Sequence, residues 1–241
     1  MIKTEVCIKC DDLFEMKKAV NSAYSAGAST VELCAAMHLD GLTPSPEFIV
    51  AARKEFRYRA GLMVMIRPRE GGFYYSDKEL IVMEKQIINA AKLGADGVVF
   101  GVLDAKNNID SAGLKSIMEV CKKYNLTTTF HRAFDALTNP LKSVDLLIEL
   151  GVDRILTSGT GWLSGKNALE GVAKLKQIIE AAKGRIEIVI GGGINSGNVN
   201  EILEQLPLKG NNISVHAYSG VQENGVTTLT AVEDFLEKVK F

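Results

Sequence analysis

The sequence has no excess of either charge, no long apolar run and few cysteines, and each lack removes a class of function. Its 28 basic and 29 acidic residues leave a formal charge of -1. There is no Lys/Arg run with interleaved aromatics, so the chain offers no basic field to a phosphate backbone, and nucleic acid is not an expected partner. Apolar runs such as Val98-Val99-Phe100 fall far short of the roughly 20 residues that a membrane helix needs, and the start, Met1-Ile2-Lys3-Thr4-Glu5, has no signal-peptide architecture. Four cysteines in 241 residues are too sparse for a disulfide framework. The expectation is therefore a cytoplasmic protein with reduced thiols and no membrane partner.

What is present is a repeat of two periodicities. Short β-rich runs cover residues 3–9, 30–34, 60–67, 97–101, the stretch opening at Thr127, 153–158, 186–190 and 212–218. A helical pattern follows each: Asp12 to Gly27, from near Pro46, Asp77 to Leu93, about Asp110 to Tyr124, from Pro140, up to about Lys183, from Ser196, and Ala231 to Lys240. Asp12 and Glu15 are spaced as a capping pair, and Gly27, Gly94 and Gly151 stand where a helix C-cap wants glycine. Eight strand–helix pairs over residues 1–241 predict one α/β domain, a (β/α)8 TIM barrel. An open doubly wound sheet is the alternative; it needs a topological switch point and usually has fewer units.

In such a barrel the helix-facing side of each strand takes Val, Ile and Leu, and the axial side is more permissive. Val6 and Ile8 on the helix side send Glu5 and Cys7 inward. Val31 and Leu33 do the same for Glu32 and Cys34, so the first two strands repeat one Glu-x-Cys pattern. Leu62, Val64 and Ile66 turn Met63, Met65 and Arg67 inward, the fifth run turns Thr129 and His131 inward, and the eighth turns Ser214 and His216 inward. The sixth run is ambiguous, because Ile155 and Leu156 could each face the helices. Glu5, Glu32, Arg67, His131 and His216 then converge on one axis, which makes either a satisfied ionic network or a site.

The chemistry is densest at Thr129-Phe-His-Arg-Ala-Phe-Asp135, where a strand gives way to a helix at the catalytic end of a barrel. His131 is a candidate acid or base with Asp135 or Glu32 orienting it, and Arg67 and Arg132 are candidates for holding an oxyanion or carboxylate. Gly191-Gly192-Gly193 after the seventh run, with Ser196 opening a helix and Ser219-Gly220 after the eighth, stand where barrel enzymes hold phosphate on backbone amides, and Ser158 at the end of the sixth run is a candidate for the same ligand. Cys7-Ile-Lys-Cys10 has thioredoxin-like spacing but lies on a strand rather than at a helix N-terminus. Cys121 reads as core and His38 as a solvated loop residue. No organic cofactor is expected.

Glu5-Val-Cys7, Val31-Glu-Leu-Cys34-Ala-Ala, Met65-Ile-Arg-Pro-Arg69, Thr129-Phe-His-Arg-Ala-Phe-Asp135, Arg154-Ile-Leu-Thr-Ser-Gly159 and Gly191-Gly-Gly-Ile194 together resemble the CutC family of copper homeostasis proteins, from the first strand to the eighth. The resemblance implies a TIM barrel, a cytoplasmic protein, self-association as a dimer or tetramer, and Cu(I) binding at Cys7 and Cys34. Two features depart from the family pattern: Arg67-Pro-Arg-Glu-Gly-Gly-Phe73 moves or removes a loop carboxylate, and Ala217-Tyr-Ser-Gly220 leads quickly to the last helix. Sulfur chemistry supports copper in its own right. Cys7 and Cys34 at similar heights on adjacent strands about 4.8 Å apart offer soft ligands that select Cu(I), with Met63 or Met65 able to add a thioether. The other expectation is a metal-independent lyase, isomerase or hydrolase acting on a small phosphorylated, carboxylated or sugar substrate.

Overall fold

In the computed structural model, which describes residues 2–239, eight parallel strands hydrogen-bond in sequence order and close β8 onto β1. The strands are β1 (Lys3–Lys9), β2 (Thr30–Cys34), β3 (Leu62–Met65), β4 (Gly97–Phe100), β5 (Thr127–Phe130), β6 (Arg154–Thr157), β7 (Glu187–Ile190) and β8 (Ile213–Ala217). Between and after them run α1 (Leu13–Ala26), α2 (Pro46–Phe56), α3 (Asp77–Lys92), α4 (Ser111–Lys123), α5 (Pro140–Glu149), α6 (Val172–Ala182), α7 (Val199–Glu204) and α8 (Leu229–Lys238). The expected end of the last helix, Lys240, lies outside the described residues, as do Met1 and Phe241. Among the described residues no helix is long and apolar enough to cross a membrane.

The local rules that the sequence suggests are used. The Asp12 carboxylate accepts from the N–H groups of Phe14 and Glu15 at the start of α1, and Gly27 ends that helix at φ 95°, a left-handed turn without Cβ strain. Ser76 and Glu79 form a reciprocal capping box at the start of α3, and Asn139 caps α5 with Pro140 behind it.

Strand alternation sorts the side chains into two layers. Val6, Ile8, Val31, Leu33, Leu62, Val64, Ile155, Ile188 and Val215 are buried in the large cluster shared with the helices. Burying one such side chain contributes roughly 1.5–3 kcal/mol, so this layer holds the barrel closed. A smaller cluster of Cys7, Cys34, Met63, Met65 and Val99 occupies the axial side. Ile155 in the outer layer settles the parity of β6, and Arg154 and Leu156 therefore point inward.

Three elements differ from the sequence-based expectation. The seventh helix begins at Val199 rather than Ser196, because Asn195 and Asn198 turn their side chains back onto the loop: Asn198 accepts from the Asn195 N–H and donates to the Gly193 carbonyl. His131 lies just beyond β5 and caps a short 3-10 helix, Arg132–Ala136. The loop after β8 contains a two-stranded hairpin, β9 (Gln222–Glu223) and β10 (Val226–Thr227), turned by Asn224 and Gly225 at φ 52° and 79°, the combination that Asn-Gly supplies best.

Candidate functional site: the C-terminal mouth of the barrel

The axis is layered from a charged floor to a sulfur-rich wall. At the floor Arg154 donates from Nη1 to Glu5 Oε2 at 2.8 Å and to Thr129 Oγ1 at 3.2 Å, and from Nε to Glu187 Oε1 at 3.3 Å. Thr30 donates to the same Glu5 oxygen at 2.8 Å, and Lys3 stands 3.6 Å from Glu187. Burial raises the Glu5 pKa, but the Arg154 and His216 charges and the hydrogen bonds outweigh it and leave the carboxyl below its ordinary value. Glu5 is thus the structural member of an ionic network.

Above it Glu32 and His216 meet at 2.7 Å, Oε2 to Nε2. Burial opposes protonation of His216, yet its hydrogen bonds to Cys7 and Glu32 raise its pKa well above the usual histidine value. The Cys34 thiol hydrogen-bonds to Cys7 and, helped by His216, holds Cys7 below the usual thiol value against burial and the Glu32 charge. The same bond, together with burial, pushes Cys34 well up. Register places Glu32 directly opposite Cys7 and Cys34 opposite Lys9, so the expectation of two cysteines at similar heights is corrected: they are diagonal neighbours, two residues out of step. Their sulfurs and a Glu32 oxygen nonetheless lie within 4.8 Å of one another.

Arg67 and His131 line a cavity of about 260 Å³ together with Cys7, Glu32, Cys34 and His216. The Arg67 guanidinium is only 2% exposed. It donates to the carbonyls of Leu39, Gly41 and Gly71 and lies over the Phe73 ring at 5.4 Å. The Tyr75 hydroxyl stands beside it; burial raises that hydroxyl's pKa and the Arg67 charge tempers the rise. No carboxylate of the described residues forms a salt bridge with Arg67. The loop that departs from the family pattern is what seats it: Gly71 supplies a carbonyl and Phe73 the ring, while Arg69 bonds to Glu79 and to the carbonyls of Glu70, Gly72 and Tyr74.

His131 accepts from the Ala133 N–H at its Nδ1, 3.1 Å away. A ring nitrogen that accepts carries no proton, so in the neutral imidazole the hydrogen belongs on Nε2. Burial, then the nearby Arg67 charge, lowers its pKa to about 3. The residue is a neutral hydrogen-bond donor near pH 7. The expectation that Asp135 or Glu32 orients it is corrected here: a backbone amide does so.

Asp135 is committed elsewhere. Its carboxylate accepts from Arg132 Nε at 2.8 Å, from the Ser158 N–H at 3.1 Å and hydroxyl at 2.9 Å, and from the Thr157 hydroxyl. Arg132 also donates to Ser158 Oγ at 3.0 Å and lies over Trp162 at 5.2 Å, which places it at the cavity rim with its charge matched. Gly191 donates to the Thr157 carbonyl, and the Gly192 carbonyl accepts from Ala168. A Cβ on Gly192 would lie 2.8 Å from the Ser158 side chain, so packing alone requires glycine there. With the six-residue α7 starting at Val199, Gly191, Gly192, Gly193 and Ser158 form a braced turn. The structure brings Cys7, Glu32, Cys34, Arg67, His131, Arg132 and His216 to one cavity and leaves Glu5, Asp135, Ser158 and the three glycines to support it.

Sequence reasoning missed Arg154 as an axial residue, and Phe73, Leu156, Trp162 and Tyr218 as the apolar part of the lining. The signal for Arg154 was the unmatched charge of an inward Glu5. Cys121 is buried and His38 is exposed, as expected.

A closed (β/α)8 barrel with a cavity at the C-terminal ends of its strands, lined by Cys7 and Cys34 together with Arg67 and Arg132, defines a TIM-barrel protein whose mouth is the candidate site. The sequence profile of the CutC family matches residues 2–220, and the chain belongs to that family. It is 41% identical over 200 residues to the human copper homeostasis protein cutC homolog, covering 83% of this chain and 68% of that one. It is 40% identical over 200 residues to a CutC protein of Vibrio cholerae, covering 83% and 74%. A CutC crystal structure from Streptococcus agalactiae superposes with a TM-score of 0.76 at 34% identity, covering 90% of this chain and 98% of that one.

Proposed function

We propose that this CutC protein acts in copper homeostasis by binding one Cu(I) ion between Cys7 and Cys34. The observation that carries the reading is the approach of these two buried sulfurs at the cavity wall, within 4.8 Å of each other and of a Glu32 oxygen, with Met63 and Met65 in the same cluster. Two thiolates and a thioether are a soft donor set, which suits Cu(I) and disfavours hard cations. The harder grouping of Glu5, Glu32 and His216 is a poorer host, because Arg154 and Thr30 already hold Glu5 and His216 already bonds Glu32. All four cysteines are free thiols, which suits a reducing compartment such as the cytoplasm. Self-association goes with the family resemblance, and sedimentation equilibrium tests it.

Anaerobic Cu(I) titration against a chromogenic chelator should give one site per chain, and the Cys7→Ser, Cys34→Ser double variant should lose it. Tight binding that survives in the folded double variant would put the metal elsewhere.

A second reading, a metal-independent enzyme on a small substrate, is favoured by a different observation. Three side chains lining the cavity keep a buried polar atom without a partner: Arg67 Nε, His131 Nε2 and Glu32 Oε1. Such groups cost roughly 1–3 kcal/mol each when left unpaired, so a ligand that pairs them recovers that energy.

A further inference from the structure

We propose that the mouth of the barrel binds a small hydroxy-carboxylate, with its carboxylate set against the Arg67 guanidinium and the Nε2–H of His131 and its hydroxyl donating to Glu32 Oε1. The inference rests on the second reading above, and names its ligand class; it uses neither Cys7 nor Cys34.

Charge selects the anion. The other charged side chains of the lining are matched or exposed: Glu32 by His216 and Arg132 by Asp135, with Asp40 exposed at the rim. Arg67 is a buried cation held by three carbonyls, the Phe73 ring and the Tyr75 hydroxyl, with no carboxylate of the described residues in a salt bridge to it. One uncompensated positive charge in a desolvated wall calls for one negative charge, which a carboxylate supplies and a phosphate dianion exceeds. His131 adds a neutral donor whose orientation the Ala133 N–H fixes, so it can meet an anion without demanding a proton. Glu32 Oε1 needs a donor, and a hydroxyl provides one.

Size and shape agree. A cavity of about 260 Å³ is at or below the usual range for drug-sized ligands, roughly 300–1,000 Å³, so the fit is to a compound of a few carbons. Phe73 packs against His131 at 5.0 Å and against Trp162 at 5.1 Å, giving the carbon skeleton an aromatic wall beside the polar groups.

The chain has 3 histidines, so the 15N spectrum of histidine-labelled protein is sparse, and the signals lost in the His131→Asn variant are those of His131. Glycerate and lactate are titrated against glycerol, glucose and inorganic phosphate, with thermal shift in parallel. The expected result is that a hydroxy-carboxylate moves the His131 Nε2 resonance and raises the melting temperature, while glycerol does neither. The His131→Asn variant keeps an acceptor for the Ala133 N–H and, being shorter, places no donor at the Nε2 position; its affinity should fall at least tenfold, about 1.4 kcal/mol. Binding of neutral polyols alone, or of phosphate with an unmoved His131 resonance, overturns the hydroxy-carboxylate assignment and leaves the small-ligand reading standing. Absence of binding by every probe overturns both.

Discussion

Arg154 and Glu5 meet at 2.8 Å on the barrel axis across 149 positions of sequence, and with Glu187 they make a buried group of three charges. The side chains of Arg154 and Glu5 are 5% and 1% exposed. A pair of this kind is weak evidence of net stability, but breaking it strands a charge. Arg154→Met leaves Glu5 without its ion-pair partner and Glu187 with Lys3 alone, and should cost about 3–5 kcal/mol, read from the urea midpoint at unchanged m-value.

His131 sets a pH dependence whose sign follows from its lowered pKa. Unfolded histidine titrates near 6.5 and folded His131 near 3, so between these values the unfolded chain takes up a proton that the native one refuses. Stability therefore falls as pH drops from 6.5 toward 3, with a slope of at most about 1.4 kcal/mol per pH unit. The His131→Asn variant should lose less stability than the wild type between neutrality and the acid side of that window. Equal losses would refute the assignment of a buried neutral ring.

Glu79 is a carboxylate whose pKa is likewise lowered, so it too loses its contribution on acidification. The Ser76 N–H, the Arg69 guanidinium and the Ser76 hydroxyl hold it down to about 2. Its contribution is present above the unfolded value of about 4.5 and is lost as pH falls through the folded one. Glu79→Gln should cost about 1 kcal/mol near pH 7, the scale of a helix cap. That difference should shrink on acidification across the window, in denaturation curves of both proteins.

Gly171 tests packing without backbone strain. Its φ is -87°, open to any residue, yet a Cβ would stand 2.0 Å from the Ser158 carbonyl oxygen. Gly171→Ala should destabilise by roughly 1–3 kcal/mol and, because Ser158 is bonded to Asp135 and Arg132, should disturb the cavity rim. Thermal melts and the Cu(I) titration of the same variant measure the two effects.

The barrel was legible because its two periodicities are local: strand alternation and helical stripes are written in neighbouring residues, and outward Val6, Ile8, Val31 and Leu33 determine that Glu5, Cys7, Glu32 and Cys34 point inward. Arg154 escaped because Ile155 and Leu156 give β6 two apolar faces. The orientation of His131 escaped because its partner is the main-chain amide of Ala133, which no side-chain pattern encodes. Asp135, three residues from Arg132, bonds to Ser158 across 23 positions, and that choice depends on where β5 and β6 end. The hairpin at Asn224-Gly225 was signalled by its dipeptide, but strands of two residues leave no alternation to read.

Met63 reaches across β4 at Gly97, where its sulfur would lie 2.6 Å from any added Cβ, and beneath it Arg154 ties β6 to three other strands, β1, β5 and β7. The interior is thereby a blind well with one rim. A small molecule or ion that enters such a well leaves by the same opening, so side chains at the rim, Arg132 and Trp162 among them, lie on its path both ways.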